Sequence, residues 1–206
     1  MGGILFRPKN HYMSNYKFKQ EMERKKYENV LFPMRIVLFG DEKVGKTSIC
    51  KSFDYYEINE DYTPTVGTDK LEKNYRLNDE KEVKLIIWDT TGNERLLETS
   101  INNLHYIEGI ILVFDVTNKQ SFENIKGWLT KINDYFGNKA TIILFGNKVD
   151  EDKEIKVTEE EIKLFCGKKE LKYFGVSAKN KIGIEEGFTY LIEKIYEIRK
   201  KNNNLE

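Results

Sequence analysis

The sequence predicts an α/β domain, a six-stranded, mostly parallel sheet flanked by about five helices. Three observations predict it. Short, nearly continuous apolar runs alternate along the chain with longer segments whose apolar residues recur every three and four positions. The runs are rich in β-branched and aromatic residues, as strands buried on both faces are. The first run leads directly into a glycine-bounded loop, Gly40 to Gly45, and then into a helical pattern.

The elements follow in order. Residues 1–33 are poor in Val, Ile and Leu and carry seven Lys/Arg against three Glu. They read as a basic, aromatic extension outside the core. Arg35-Ile36-Val37-Leu38-Phe39 is the first strand. Leu71 to Leu77 and Val83 to Trp88, joined by Asn78-Asp79-Glu80-Lys81-Glu82, read as one antiparallel hairpin at the sheet edge. Ile110 to Phe114, Ile142 to Phe145 and Tyr173 to Val176 supply further strands. Phe122, Ile125, Leu129, Ile132 and Phe136 lie on one helical face, as do Ile184, Phe188, Leu191, Ile195 and Ile198. Trp128 and Tyr135 on the first of these are read as packing. Ser121 and Thr158 are expected N-caps, and Glu161 completes a capping box with Thr158. The domain is expected over residues 34–199, with 200–206 a short polar tail.

Composition narrows the function classes. A chain of 206 residues suits one domain with a short extension. Charged residues make up 33% and the net charge is zero, which gives no reason to expect a nucleic-acid partner. Cys50 and Cys166 lie far apart without CxxC spacing and read as reduced core thiols of a cytosolic protein. His11 and His105 have no metal-ligand spacing. No apolar run approaches the ~20 residues that span a bilayer. The start lacks a signal-peptide stretch, so a soluble, cytoplasmic protein is expected.

The chemistry sits where strands end. Gly40-Asp41-Glu42-Lys43-Val44-Gly45-Lys46-Thr47 fits G-x-x-x-x-G-K-[ST] between a strand and a helix, the context the motif requires. Its glycines let backbone amides turn toward a polyphosphate, and the helix N-terminus adds a favourable dipole. Lys46 can place a compact charge on the β and γ phosphates, and the Thr47 hydroxyl can ligate Mg²⁺. With Gly near 7% of residues, the four fixed positions coincide by chance on the order of once in 30,000 sites, so a chance glycine turn is the weaker reading.

Asp89-Thr90-Thr91-Gly92 ends another strand. An Asp there can hold Mg²⁺ through water, and the Gly N–H can reach a γ-phosphate; alone, D-x-x-G usually marks a turn. Asn147-Lys148-Val149-Asp150 follows a third strand. The Asp150 carboxylate can accept hydrogen bonds from the N1–H and exocyclic amine of guanine, a pair adenine does not present. Ser177-Ala178-Lys179 follows the last strand and is commonplace alone.

Together and in this order, the four segments resemble the guanine-nucleotide motifs of Ras-like small GTPases, over residues 34 to about 199. Trp88-Asp89-Thr90, Asp115-Val116-Thr117-Asn118-Lys119-Gln120-Ser121-Phe122 and Gly146-Asn147-Lys148 look most like Rab proteins. The resemblance implies the phosphate-loop NTPase fold and a switch that binds GTP and GDP with Mg²⁺. It implies a nucleotide-binding set of Gly40, Glu42, Lys43, Val44, Gly45, Lys46, Thr47, Ser48, Gly92, Asn147, Lys148, Asp150, Ser177, Ala178 and Lys179. Thr47, Thr65 and Asp89 would serve the metal, and Asn93, Lys46 and Thr65 the hydrolysis. Tyr62 to Asp69 resembles the first switch segment and Asp89 to about Tyr106 the second. Effectors, exchange factors and GTPase-activating proteins would read these segments near Thr65 and Asn93.

Four positions depart from the family pattern. Asn93 stands for the usual Gln and is one methylene shorter; catalysis of this kind rests on positioning. Glu42 occupies a phosphate-loop position that is usually small, and either repels the γ-phosphate or swings outward toward Lys43. Thr91 replaces the usual Ala before Gly92. Ile58 stands where a ring usually stacks on the base, with Tyr55 and Tyr56 nearby. Three substitutions at the γ-phosphate predict slow hydrolysis. The alternative is a guanine-nucleotide-binding scaffold with negligible turnover. Arg95 reads as a partner or solvent contact rather than an arginine finger.

Rab chains typically end in prenylated cysteines; this sequence ends Asn202-Asn203-Asn204-Leu205-Glu206. Met1-Gly2-Gly3 resembles the start of an acylation signal, but Phe6 stands where Ser or Thr belongs. Residues 4–27 mix Ile4, Leu5, Phe6, Tyr12, Tyr16 and Phe18 with basic residues. They suit an anionic membrane surface or a partner; a disordered, loosely docked tail is the competing reading. Peripheral association with an intracellular membrane is therefore an expectation of the sequence.

Overall fold

The computed structural model describes residues 33–54, 68–78, 81–92, 104–151 and 154–203. Thr65, Asn93, Ile58 and Arg95, with the extension over 1–32, lie outside the described residues. The strands are β1 (Met34–Phe39), β2 (Thr68–Arg76), β3 (Glu82–Thr90), β4 (Gly109–Asp115), β5 (Thr141–Asn147) and β6 (Lys172–Gly175). The α-helices among the described residues are α1 (Lys46–Phe53), α2 (Lys119–Glu123), α3 (Ile125–Phe136), α4 (Glu159–Lys169) and α5 (Ile184–Asn203).

The six strands form one sheet in the order β2-β3-β1-β4-β5-β6. All neighbours are parallel except β2 and β3, which run antiparallel with Thr68 opposite Thr90 and Arg76 opposite Glu82. The Leu77 N–H donates to the Lys81 carbonyl at 2.8 Å and closes that hairpin. The edge hairpin expected from sequence is thus in place.

Alternation along the inner strands builds two cores. Ile36, Leu38, Ile111, Val113, Ile143 and Phe145 face α1 and α5, where Ile49, Phe53, Phe188, Leu191 and Ile195 are buried. Val37, Phe39, Ile110, Leu112, Phe114 and Leu144 face the opposite layer, with Ile125, Trp128 and Ile132 of α3 and Ile162 and Cys166 of α4. Strands buried on both faces need helices on both, which is why the runs read as continuous. Phe188 joins the elements of the first core. Its ring stacks on Phe53 at 3.9 Å between centroids and meets Phe145 edge-on at 6.0 Å.

Local details refine the sequence reading. Thr158 caps α4 as expected: its hydroxyl accepts from the Glu161 N–H at 3.3 Å and the Glu161 carboxylate accepts from the Thr158 N–H at 3.0 Å. Ser121 is not a cap. Asn118, in an extended conformation, caps α2 by accepting from the Gln120 and Ser121 N–H groups. Ser121 lies inside that helix, buried, and its Oγ accepts from the Asp115 N–H at 3.0 Å. The 122–136 pattern divides at Asn124, whose N–H bonds back to Gln120 and whose carbonyl accepts from the Trp128 N–H. Tyr135, expected to pack, is 46% exposed, because its position on α3 turns from the sheet. Helix α5 runs through Asn203, into the stretch expected as a polar tail. Cys50 and Cys166 are buried free thiols, and burial raises the pKa of both. Among the described residues no helix is long and apolar enough to cross a membrane.

Phe188→Ala should cost roughly 3–5 kcal/mol, the range for emptying an aromatic site that cannot collapse. Urea unfolding followed by far-UV circular dichroism checks this; a cost below about 1 kcal/mol would mean that the Phe53–Phe188–Phe145 contact is not a core contact.

Candidate functional site

The site lies beyond the carboxyl ends of the parallel strands, where ligands of such sheets bind. The Gly40–Gly45 loop leaves β1, Asp89 to Gly92 leaves β3, Asn147 to Asp150 leaves β5, and Ser177 to Lys179 follows β6. Register aligns them: Leu38 is level with Asp89 across β1 and β3, and Asp115 with Asn147 across β4 and β5.

The phosphate loop wraps around the Lys46 side chain. Lys46 is buried, and its Nζ donates to the carbonyls of Gly40 at 2.9 Å and Asp41 at 2.7 Å. Burial lowers its pKa to about 8, while the charges of Asp89 and Asp41 pull the other way. Gly45 caps α1 with φ of 95°, and a Cβ there would sit 2.2 Å from Asn147 Nδ2. No other residue meets both demands at that position. Lys43 adopts a φ of 65° in the same loop. Glu42 and Lys43 are exposed, Val44 is buried, and Ser48 lies half-buried in the first turn of α1.

The β3 end closes on this loop. The Thr47 hydroxyl donates to Asp89 Oδ2 at 2.5 Å. Thr90 Oγ1 donates to the Leu38 carbonyl at 2.6 Å and ties the ends of β3 and β1 together. Thr91 is buried, and Gly92 packs so closely that a Cβ would meet the Glu42 backbone nitrogen at 2.2 Å. The donor set fits magnesium. A hydroxyl and a carboxylate are hard oxygens, and Mg²⁺ is usually held by one or two protein oxygens with phosphate and water completing the shell. Among the described residues there is no group of three or more His, Cys, Asp or Glu that would suit a metal held by protein alone.

The base side is organised by Asn147. Its Nδ2 donates to the Val44 carbonyl at 2.9 Å, and its Oδ1 accepts from the Ala178 N–H at 3.0 Å. One buried amide therefore joins the phosphate loop to the loop after β6. The Val149 N–H donates to the Val176 carbonyl at 3.2 Å, and Ser177 and Ile182 exchange two backbone bonds of 3.0 Å. Ser177 Oγ accepts from the Asn180 N–H at 2.9 Å. Asp150 is half-buried beside this junction and Lys179 is exposed. Lys148 has a φ of 70°, and its Nζ pairs with Asp115 Oδ2 at 2.5 Å.

Hydrogen bonds and close packing join Lys46 to Gly40, Thr47 to Asp89, Gly92 to Glu42, and Asn147 to Val44 and Ala178; Asp150 and Lys179 lie on the loops after β5 and β6 at the same end of the sheet, and Thr65 and Asn93 lie outside the described residues. Sequence reasoning missed two supports. Asp115 holds Lys148 and also accepts from the Thr117 N–H at 2.8 Å. Asp41 accepts from Trp128 Nε1 at 2.8 Å and Asn124 Nδ2 at 2.7 Å, so Trp128 does more than pack. The available signal was a carboxylate directly after Gly40, which needs a partner in a loop suited to anions.

Comparison with known proteins agrees with the geometry. A family model described as Ras family matches residues 35–197. Ras-related protein Rab-10 of Diplobatis ommata is 37% identical over 175 residues, 84% of this chain and 85% of that one. Ras-related protein RabC of Dictyostelium discoideum is 35% identical over 179 residues, 86% of this chain and 90% of its own. Ras-related protein RABA6a of Arabidopsis thaliana is 32% identical over 164 residues, 80% of this chain and 70% of its own. The chain belongs to the Ras family, as a divergent Rab-like small GTPase that binds GTP and GDP with Mg²⁺ and hydrolyses GTP.

Proposed function

We propose that this Rab-like switch acts in vesicle trafficking at an intracellular membrane surface, and that it turns over GTP slowly. Asn147 is the observation that carries the nucleotide assignment: its amide bonds to both the phosphate loop and the loop after β6. A pocket built to hold phosphates at one end and a base at the other needs such a link.

Bound Mg²⁺ and GTP would supply the phosphoanhydride that is cleaved and the cation that screens its charge. The chain's residues take the remaining roles. Loop amides between Gly40 and Lys46 and the N-terminus of α1 face the phosphates. Lys46, held by two carbonyls, aims a positive charge from a buried position. Thr47 and Asp89 offer oxygens to the metal, joined by Thr65 in the GTP state. Asp150 accepts from the guanine edge, while Lys148, Ser177, Ala178 and Lys179 frame the base. Asn93 would orient the attacking water, less well than a longer side chain would.

Two observations bear on rate. Glu42 is exposed, which supports the outward pose and lessens its repulsion of the γ-phosphate. Thr91 is buried directly before Gly92. The reading of slow turnover therefore rests mainly on Asn93, with Thr91 as added bulk. Effectors, exchange factors and GTPase-activating proteins would engage the segments near Thr65 and Asn93. Residues 4–27 are the proposed membrane- or partner-facing stretch.

Asn93→Gln should raise the single-turnover rate of GTP hydrolysis on the order of tenfold while leaving GDP affinity within about twofold. Wild-type hydrolysis at the speed of the variant would remove the case for slow turnover. If GTP binds but neither form turns over, the scaffold reading replaces it.

Asp150→Asn exchanges an acceptor for a donor opposite the base's C2 substituent. Affinity for GDP should fall at least about a hundredfold, and affinity for xanthosine diphosphate, which carries a carbonyl there, should rise. Unchanged GDP binding by isothermal titration would take Asp150 out of the base site.

A further inference from the structure

Asp41 carries a negative charge into the phosphate loop, whose glycines and helix N-terminus suit an anion. Its two carboxylate oxygens are taken up by different donors outside the loop: Oδ1 accepts from Trp128 Nε1 at 2.8 Å, and Oδ2 from Asn124 Nδ2 at 2.7 Å. Those donors are four residues apart at the start of α3, Asn124 as its N-cap and Trp128 bonded back to the Asn124 carbonyl, so they present the same face.

Each donor is itself oriented. Asn124 Oδ1 accepts from Gln120 Nε2 at 2.9 Å, which sets the amide so that its NH₂ points to Asp41. The Trp128 ring is 1% exposed and stacks on Phe39, with centroids 6.1 Å apart and planes 17° from parallel. Phe39 immediately precedes Gly40, so the indole is referenced to the strand from which the loop departs. On the other side, the Asp41 carbonyl receives the Lys46 ammonium at 2.7 Å. One residue is therefore held by its side chain to the helix and by its backbone to the phosphate-binding lysine.

We propose that Asn124 and Trp128 are positioning residues of the phosphate loop, which hold the Asp41 carboxylate against the helix and so keep its charge off the polyphosphate and its carbonyl in place for Lys46. The proposal rests on the nucleotide assignment given above. A carboxylate released beside a bound polyphosphate would repel it in a partly buried setting where charges are weakly screened. The effect is read in nucleotide retention: neither donor is a hydrolysis group, and Lys46, the one such group they bear on, keeps its second bond to the Gly40 carbonyl.

The test is release of N-methylanthraniloyl-GDP from the full-length, Mg²⁺-loaded protein. Asn124→Asp places one carboxylate against another at an exposed position that folding tolerates. It should speed release about tenfold, while single-turnover hydrolysis of pre-bound GTP changes by less than about twofold. Adding Asp41→Asn lets the amide introduced at position 41 donate to the carboxylate introduced at position 124, and release should return to within about threefold of wild type. Trp128→Phe keeps the ring and removes the donor, and should give an intermediate acceleration. Wild-type release from Asn124→Asp, or a double variant that releases as fast as Asn124→Asp, would overturn the proposal and leave the nucleotide assignment standing. A wild-type protein that holds no N-methylanthraniloyl-GDP would overturn both.

Discussion

The side-chain amide of Asn147 is the constraint on which the site depends. It is buried at the carboxyl end of β5 and bonds to the Val44 carbonyl and the Ala178 N–H. Its backbone carbonyl accepts from the Val116 N–H at 3.0 Å, so the loop after β4 hangs from the same residue. Removing that amide strands a buried donor and a buried acceptor, each at a cost of about 1–3 kcal/mol. The close approach of Gly45 adds a steric reason: the tight contact with Asn147 leaves no room for a side chain. The phosphate motif and the base motif, 103 positions apart at this bond, are one physical unit.

The site buries charges of both signs: Lys46, Asp89 and Asp115 are each about equally buried. Lys46 is the buried cation, destabilised by burial and supported by Asp89 and Asp41. An anionic ligand would relieve that strain, as expected of a group kept for binding rather than for stability. Three of the nearby carboxylates are engaged by partners: Asp89 by Thr47, Asp41 by Trp128 and Asn124, Asp115 by Lys148 and Thr117. Those three acids are thus held by partners beside the loop that carries Lys46.

Most of the fold was legible because buried parallel strands show as apolar runs and helices as three-and-four periodicity. The runs at 35–39, 83–88, 110–114 and 142–145 fall inside β1, β3, β4 and β5, each of which extends further than its run. The motif residues were legible because polyphosphate, metal and guanine impose fixed chemical demands at fixed spacing. What stayed hidden is tertiary. Ser121 looked like a cap because serine suits caps, yet Asn118 reaches the helix first. Tyr135 looked like packing from its residue type, but helix rotation leaves it out. The hydrogen bond from Trp128 to Asp41 spans 87 positions; the acid after Gly40 signals that a partner is needed but not which residue supplies it.

Four separated segments are proposed to make one guanine-nucleotide pocket dependent on magnesium. Titration calorimetry of nucleotide-stripped protein with GDP and with ADP, each with Mg²⁺ and with EDTA, tests it most directly. GDP should bind tightly and weaken at least about tenfold in EDTA, and ADP should bind about a thousandfold or more weaker. Equal affinity for the two nucleotides, or GDP binding indifferent to the metal, would contradict it.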